Sequence, residues 1–146
     1  MSKQRVLFLC TGNSARSQMA EAFLGKYGGD IFEPHSAGLE PKGVNPLTVK
    51  VMEEEGIDIS DQTSKGIESF FGKTNFRYLI TVCDDADQNC PTGWPGIETR
   101  MHWSFEDPAK FEGSQEERLA KFREVRDLIK ERIRQWVVEQ YIFADY

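Results

Sequence analysis

An α/β fold, with a central four-stranded parallel sheet flanked by helices on both faces, is predicted by three features of the 146-residue chain. Short continuous apolar runs, of which VLFLC (6–10) is the clearest, suit parallel strands buried on both faces. Segments of helical periodicity alternate with these runs, as in a series of βαβ units. Two runs end on a cysteine, Cys10 and Cys83, at the carboxyl ends of strands where such folds bind ligands.

The elements follow in order. After the first strand and a Gly/Asn/Ser loop, SQMAEAFLGKY sets Met19, Ala20, Phe23 and Leu24 on one helical face and stops at Gly28-Gly29. IFEPHSAGLE reads as a second short strand and a turn. In NPLTVKVMEEEG, Asn45 is the expected N-cap, Pro46 takes the first helical position and Gly56 lies just past the end. SKGIESFFG is expected to form a shorter helix, FRYLITVC (76–83) the third strand and IETRMHW the fourth. From Ser114 onward, Leu119, Phe122, Val125, Ile129, Ile133 and Trp136 recur at three- and four-residue steps, the pattern of a long amphipathic helix. The tail YIFADY carries no signal.

Length and composition suit one domain, 1–146. No run approaches the ~20 apolar residues of a membrane span. The apolar run after MSKQR is too brief for a signal peptide, so a cytoplasmic protein is expected. The net charge of −6 argues against nucleic-acid or membrane partners, without excluding a local anion site. The three cysteines, Cys10, Cys83 and Cys90, are an odd number, and in a reducing compartment they do not form a disulfide framework.

Cys10-Thr-Gly-Asn-Ser-Ala-Arg16 is a C-x5-R pattern between a strand and a helix, followed by Ser17. Such patterns arise by chance, but the flanking elements and the small residues inside the loop point to an oxyanion nest. Backbone N–H groups of Thr11, Gly12, Asn13, Ser14, Ala15 and Arg16 can converge there, and Ser17 is counted with them in the expected oxyanion site. Gly12 allows close approach, and Arg16 can grip two oxygens of a tetrahedral anion. Cys10 would lie beneath the anion, with Ser17 donating to its thiolate. Such settings lower a thiol pKa from about 8.5 to roughly 3.5–7.5. The loop suits a sulfur nucleophile attacking a phosphate-like group.

CTGNSARS resembles the catalytic loop of the low-molecular-weight protein tyrosine phosphatases. The longer run VLFLCTGNSARSQMAE, with SAGLEPKGVNP, TVCDDADQNCP and HWSFEDPA, is more similar to the thioredoxin-coupled arsenate reductases, which share that fold. The similarity spans roughly residues 5 to 135.

Two features bear on the choice between these groups. A phosphatase needs one thiol, whereas arsenate reduction consumes two electrons, which thiols supply by forming a disulfide. Cys83 and Cys90 flank the polar segment DDADQN, pictured as a loop mobile enough to pass a sulfur bond along. A zinc pair would be more closely spaced and would need a second pair. In FEDPA, Asp107 suits a general acid that protonates the leaving oxygen, and both groups place an acid here. The tyrosines that follow this Asp-Pro in the phosphatases are replaced by AKFE, favouring a small inorganic anion.

The resemblance implies a sequence of sulfur steps. Cys10 attacks arsenate, Cys83 attacks Cys10 in the adduct and releases arsenite, and Cys90 attacks Cys83. Thioredoxin, or by alternative a glutaredoxin or mycothiol system, reduces the Cys83–Cys90 disulfide. No bound cofactor is implied, and a monomer is expected. The alternatives are a tyrosine-type phosphatase using Cys10, Arg16 and Asp107, a redox sensor using Cys83 and Cys90, and a phosphocysteine carrier, which has no use for that pair.

Three departures or minor signals remain. Residue 15 is alanine where many relatives carry cysteine, which removes a spare thiol beside the nucleophile. Some arsenate reductases hold potassium through Asn, Glu, Ser and Asp; Asn13, Glu21 and Ser36 match, but the fourth position is Lys65, whose ammonium is expected to replace the ion. His35 and His102 have no expected catalytic role, and His102 beside Trp103 reads as structural.

Overall fold

The computed structural model describes residues 3–144; residues 1, 2, 145 and 146 of the expected 1–146 domain lie outside the described residues. Four strands, β1 (Gln4–Cys10), β2 (Phe32–Gly38), β3 (Phe76–Thr81) and β4 (Ile97–His102), form one parallel sheet in the order β2-β1-β3-β4. Val6 to Cys10 are all buried. Successive strand residues point to opposite faces, so both faces of β1 are covered, as its unbroken apolar run requires.

The helices are α1 (Arg16–Gly28), α2 (Pro46–Glu53), α3 (Asp84–Asn89) and α4 (Gln115–Ala144). The long helix α4 packs along α1 and reaches α2. Its expected stripe is the core stripe: Leu119, Phe122, Val125, Ile129, Ile133 and Trp136 are all buried. Trp136 stacks on Phe32 at 4.9 Å between ring centroids and meets Trp103 edge-on at 5.7 Å. The start of α2 follows the sequence closely. The Asn45 side chain accepts the Leu47 N–H, Pro46 occupies the first turn, and Gly56 adopts φ +73°, which glycine tolerates without a Cβ clash. Among the described residues no helix is long and apolar enough to cross a membrane.

Three expectations require correction. SKGIESFFG forms only a short 3-10 turn, Ile67–Ser69, because Gly66 stays extended and Gly72 turns left-handed at φ +71°. The third strand ends at Thr81, two residues before Cys83. DDADQN is not a loop but helix α3, with Cys83 as its N-cap and Cys90 as its C-cap. Asp84, Asp85 and Asp87 lie in its first turn, where negative charge suits the exposed N–H groups.

Candidate active site

The loop 11–15 joins β1 to α1 at the carboxyl edge of the sheet, and its carbonyls are all engaged by the surrounding chain. The Cys10, Thr11 and Gly12 carbonyls accept from Leu39, Glu40 and Lys42 N–H groups at 3.1, 2.8 and 2.9 Å. The Asn13 carbonyl accepts from Gln18 Nε2 at 3.0 Å, and the Ser14 carbonyl from Asn45 N and Thr48 Oγ1. The Ala15 carbonyl begins the α1 ladder with Met19 N. In a trans peptide the next residue's N–H points opposite to the carbonyl. The N–H groups of residues 11–16 are therefore turned to the other side, toward Cys10 and the cavity. Gly38 makes this possible: a Cβ there would stand 2.6 Å from the Thr11 carbonyl oxygen and 2.9 Å from Asn13 N. Asn13 bends the loop with φ +48°, a left-handed conformation that asparagine tolerates better than most residues.

A directed chain of hydrogen bonds runs beneath the loop to the thiol. The Lys65 N–H donates to Asn13 Oδ1 at 2.9 Å, which fixes the amide so that Nδ2 donates to Ser17 Oγ at 2.8 Å. The Ser17 proton is then left for Cys10 Sγ, 2.9 Å away. The Asn13 backbone N–H also points at Cys10 Sγ, at 3.2 Å. Asn13 and Ser17 are fully buried, so they act on the sulfur rather than lining the cavity. The thiol is not acidified in this structure, contrary to expectation. Burial pushes Cys10 up from its ordinary value, against the opposing pulls of the Ser17 hydrogen bond, the Arg16 charge and the Asn13 N–H.

One open cavity of about 1140 Å³ brings together Cys10, the loop, Arg16, Cys83 and Asp107. Arg16 is oriented by the Phe105 carbonyl, to which Nη1 donates at 3.1 Å, while Nη2 lies 3.4 Å from Asp107 Oδ2. Asp107 caps the turn Pro108–Lys110 by accepting the Ala109 N–H at 3.0 Å, which holds its carboxylate at the cavity wall. Thr11 Oγ1 donates to Asp85 Oδ2 at 2.6 Å and lies 3.6 Å from Cys83 Sγ. Cys83 Sγ also accepts the Ala86 N–H of α3 at 3.4 Å. Cys90 does not line the cavity; it is buried at the far end of α3, and that burial pushes its thiol up. The remaining matched positions cluster behind the loop. Ser36 Oγ donates to Glu21 Oε1 at 2.5 Å, and Lys65 Nζ lies 3.9 Å from the same oxygen while donating to the Thr63 carbonyl.

The low molecular weight phosphotyrosine protein phosphatase family matches residues 5–142. The chain belongs to this family. The arsenate reductase of Bacillus licheniformis is 51% identical over 136 residues, which are 93% of this chain and 96% of that one. At that identity the chain falls among the arsenate reductases of the low molecular weight phosphatase family. A solved arsenate reductase in the phosphate-binding state superposes with a TM-score of 0.77 at 37% identity, covering 93% of this chain and 98% of the other. The thioredoxin-dependent arsenate reductase of Corynebacterium glutamicum gives a TM-score of 0.69 at 28% identity, covering 97% of this chain and 63% of that one.

Of the residues singled out in the sequence, Cys10, Arg16, Cys83 and Asp107 line one cavity, whereas Cys90 lies at the far end of α3 and Glu21, Ser36 and Lys65 lie behind the loop. Sequence reasoning missed the support behind them. Gly38 was readable only as part of SAGLEP. Gln18 and Asp85 carried no signal, because their partners, Asn13, Thr63, Gln62 and Thr11, are distant in sequence or offset in phase.

Proposed function

We propose that this protein reduces arsenate to arsenite through Cys10, Cys83 and Cys90, with thioredoxin as the final reductant. The observation that carries this function is the second thiol. Cys83 opens into the same cavity as Cys10, and the helix it caps ends on the third thiol, Cys90. A phosphatase would use Cys10, Arg16 and Asp107 and leave the other two sulfurs without a task.

The chemistry follows from the geometry. Arsenate enters the nest of N–H groups, with Arg16 spanning two of its oxygens. The Cys10 thiolate attacks arsenic, and Asp107 gives its proton to the departing hydroxide, which leaves as water. The Cys83 thiolate then attacks Cys10 Sγ. The sulfur–arsenic bond breaks with its electron pair going to arsenic, so arsenic(V) leaves as arsenite and a Cys10–Cys83 disulfide remains. The Cys90 thiolate attacks Cys83 Sγ and expels Cys10 as thiolate. The thioredoxin dithiol reduces the resulting Cys83–Cys90 bond.

The third exchange requires α3 to change shape. Seven residue steps along a helix span about 10 Å, beyond the roughly 7 Å between Cα atoms that a disulfide bridges. Behind the loop, Lys65 stands in for a potassium ion. Its ammonium already faces the Glu21 carboxylate, so the residues present do not suit a further cation there. The setting we infer is a cytoplasmic monomer without nucleic-acid or membrane partners, in keeping with the net charge of −6.

A cysteine series tests the proposal. Cys10→Ser should abolish both arsenate reduction and any hydrolysis of an aryl phosphate. Cys83→Ser and Cys90→Ser should lose multiple-turnover arsenate reduction with thioredoxin yet keep the hydrolysis. Full arsenate turnover in either of the latter variants would overturn the three-thiol scheme.

A further inference from the structure

Helix α3 is fastened by its aspartates: Asp85 and Asp84 are held at the wall of the oxyanion cavity, which Thr11 and Ser104 also line, and Asp87 is held outside it. Asp84 Oδ1 accepts from His102 Nε2 and from Ser104 Oγ, both at 2.9 Å. Asp87 accepts from Arg100 Nη2, at 2.6 Å on its carbonyl and 3.3 Å on Oδ1, and its Oδ1 lies 3.2 Å from Thr81 Oγ1. Thr81 and His102 are register partners on β3 and β4, and their side chains meet at 2.8 Å between Oγ1 and Nδ1. His102 therefore bridges the two fastenings, with one ring nitrogen on each.

A hydroxyl has one proton, and a neutral imidazole has one N–H. With the ring neutral and its Nε2–H given to Asp84, Nδ1 must accept the Thr81 proton, which Asp87 then lacks. With the ring protonated, Nδ1–H donates to Thr81 Oγ1. The hydroxyl proton is then free for Asp87 or for the Met101 carbonyl, which lies 3.3 Å away. One proton on His102 thus strengthens the hold on Asp84 and releases a donor toward Asp87. The charged groups bearing on this cluster are Asp84, Asp87, Arg100 and, through Asp84, Arg16.

We propose that His102 is a positioning residue which, with Ser104, latches α3 in its wound form and so controls when Cys90 can reach Cys83; this rests on the three-thiol function proposed above. The latch keeps Cys83 at the cavity and Cys90 buried while Cys10 and Cys83 do their chemistry. Its release permits the last exchange.

The test uses the full chain, fully reduced and without arsenate. Two quantities are read at each cysteine and along α3: alkylation rates by iodoacetamide with peptide mapping, and amide hydrogen-exchange protection of residues 86–90, corrected for intrinsic rates. His102→Ala, Ser104→Ala and Asp84→Asn should each speed Cys90 alkylation several-fold with the melting temperature unchanged, and His102→Ala, which lies off the cavity that Asp84 and Ser104 line, should also leave Cys10 alkylation unchanged. In the native protein, α3 protection should fall as the imidazole is deprotonated, and this dependence should vanish in His102→Gln. Ser104→Ala and Asp84→Asn, at the protein surface, carry the test if a His102 variant folds poorly. Cys90 alkylation within twofold of native in these variants, or an unchanged pH dependence in His102→Gln, would overturn the latch. Because arsenate is absent, failure here leaves the reductase function standing, and failure of arsenate turnover leaves the latch standing.

Discussion

At Cys10 burial and hydrogen bonding pull in opposite directions. Burial raises the thiol, and the first opposing group is Ser17, whose hydroxyl has its proton free for the sulfur. Ser17→Ala should therefore raise the thiol further and slow the first step at neutral pH roughly tenfold, as expected for loss of a hydrogen bond to a charged group. The sign can be checked in a single-turnover pH profile. The thiolate is the reactive form, so the rate rises with pH, and the variant's rising limb should lie at higher pH and converge with native at the alkaline end. Lys65 offers a second check at this scale. With its ammonium at Glu21, exchanging potassium for sodium should leave turnover unchanged, and a several-fold potassium stimulation would contradict the replacement. The residues proposed to do the chemistry are legible in the sequence because C-x5-R, Asp-Pro and paired cysteines are local patterns. Asn13, Ser17 and Gly38 show why the rest is not. What they do to Cys10 depends on partners such as Lys65 and on a backbone approach at Gly38, too close for a Cβ, that only the folded chain creates.

Among the elements, α3 is the one whose sequence and structure diverge. DDADQN has no apolar stripe and only Ala86 to bury, so no helical period announces it. It is helical because its acidic first turn suits a helix N-terminus and because Thr11, Thr81, Arg100, His102 and Ser104 hold its aspartates. A helix held mainly by exposed polar contacts belongs to the low-stability end of a structure. Oxidation by arsenate should therefore strip amide-exchange protection from residues 85–90 while β1 and α4 keep theirs. Retained protection in the Cys83–Cys90 disulfide form would contradict the geometry. The α2 and α4 segments stand at the other extreme. Asn45-Pro46 and the Leu119-to-Trp136 stripe are strong local signals, and the structure follows them.

Across the whole molecule, the strand order β2-β1-β3-β4 decides where the site lies. The strands all run parallel, but the order in which they are added reverses between β1 and β3, and the crevice at such a switch point is where parallel sheets bind ligands. Cys10 ends β1, and Cys83 follows β3 by two residues, so the topology itself sets the two thiols at one opening. Apolar runs predict parallel strands but not their order, which depends on how the crossovers pack. The outer layer is tied by Glu54 at the end of α2, gripped by Arg123 at 2.7 Å and Arg126 at 2.8 Å from α4. Hydrogen bonding by Arg123, and then by Arg126, holds the Glu54 carboxyl at about 2 instead of 4.5. A lowered carboxyl stabilises the fold above its ordinary value and loses that contribution as pH falls toward the lowered one. Glu54→Gln should thus melt below native at neutral pH, and the gap should close between pH 4.5 and about 2.

The central claim is that electrons reach arsenic from this chain's own sulfurs. Free thiols should be counted on fully reduced protein, without added reductant, before and after excess arsenate. The account predicts a fall from three thiols to one, with one arsenite released per chain and a Cys83–Cys90 bond in the peptide map. Three thiols remaining, with no arsenite formed while an aryl phosphate is hydrolysed, would contradict it.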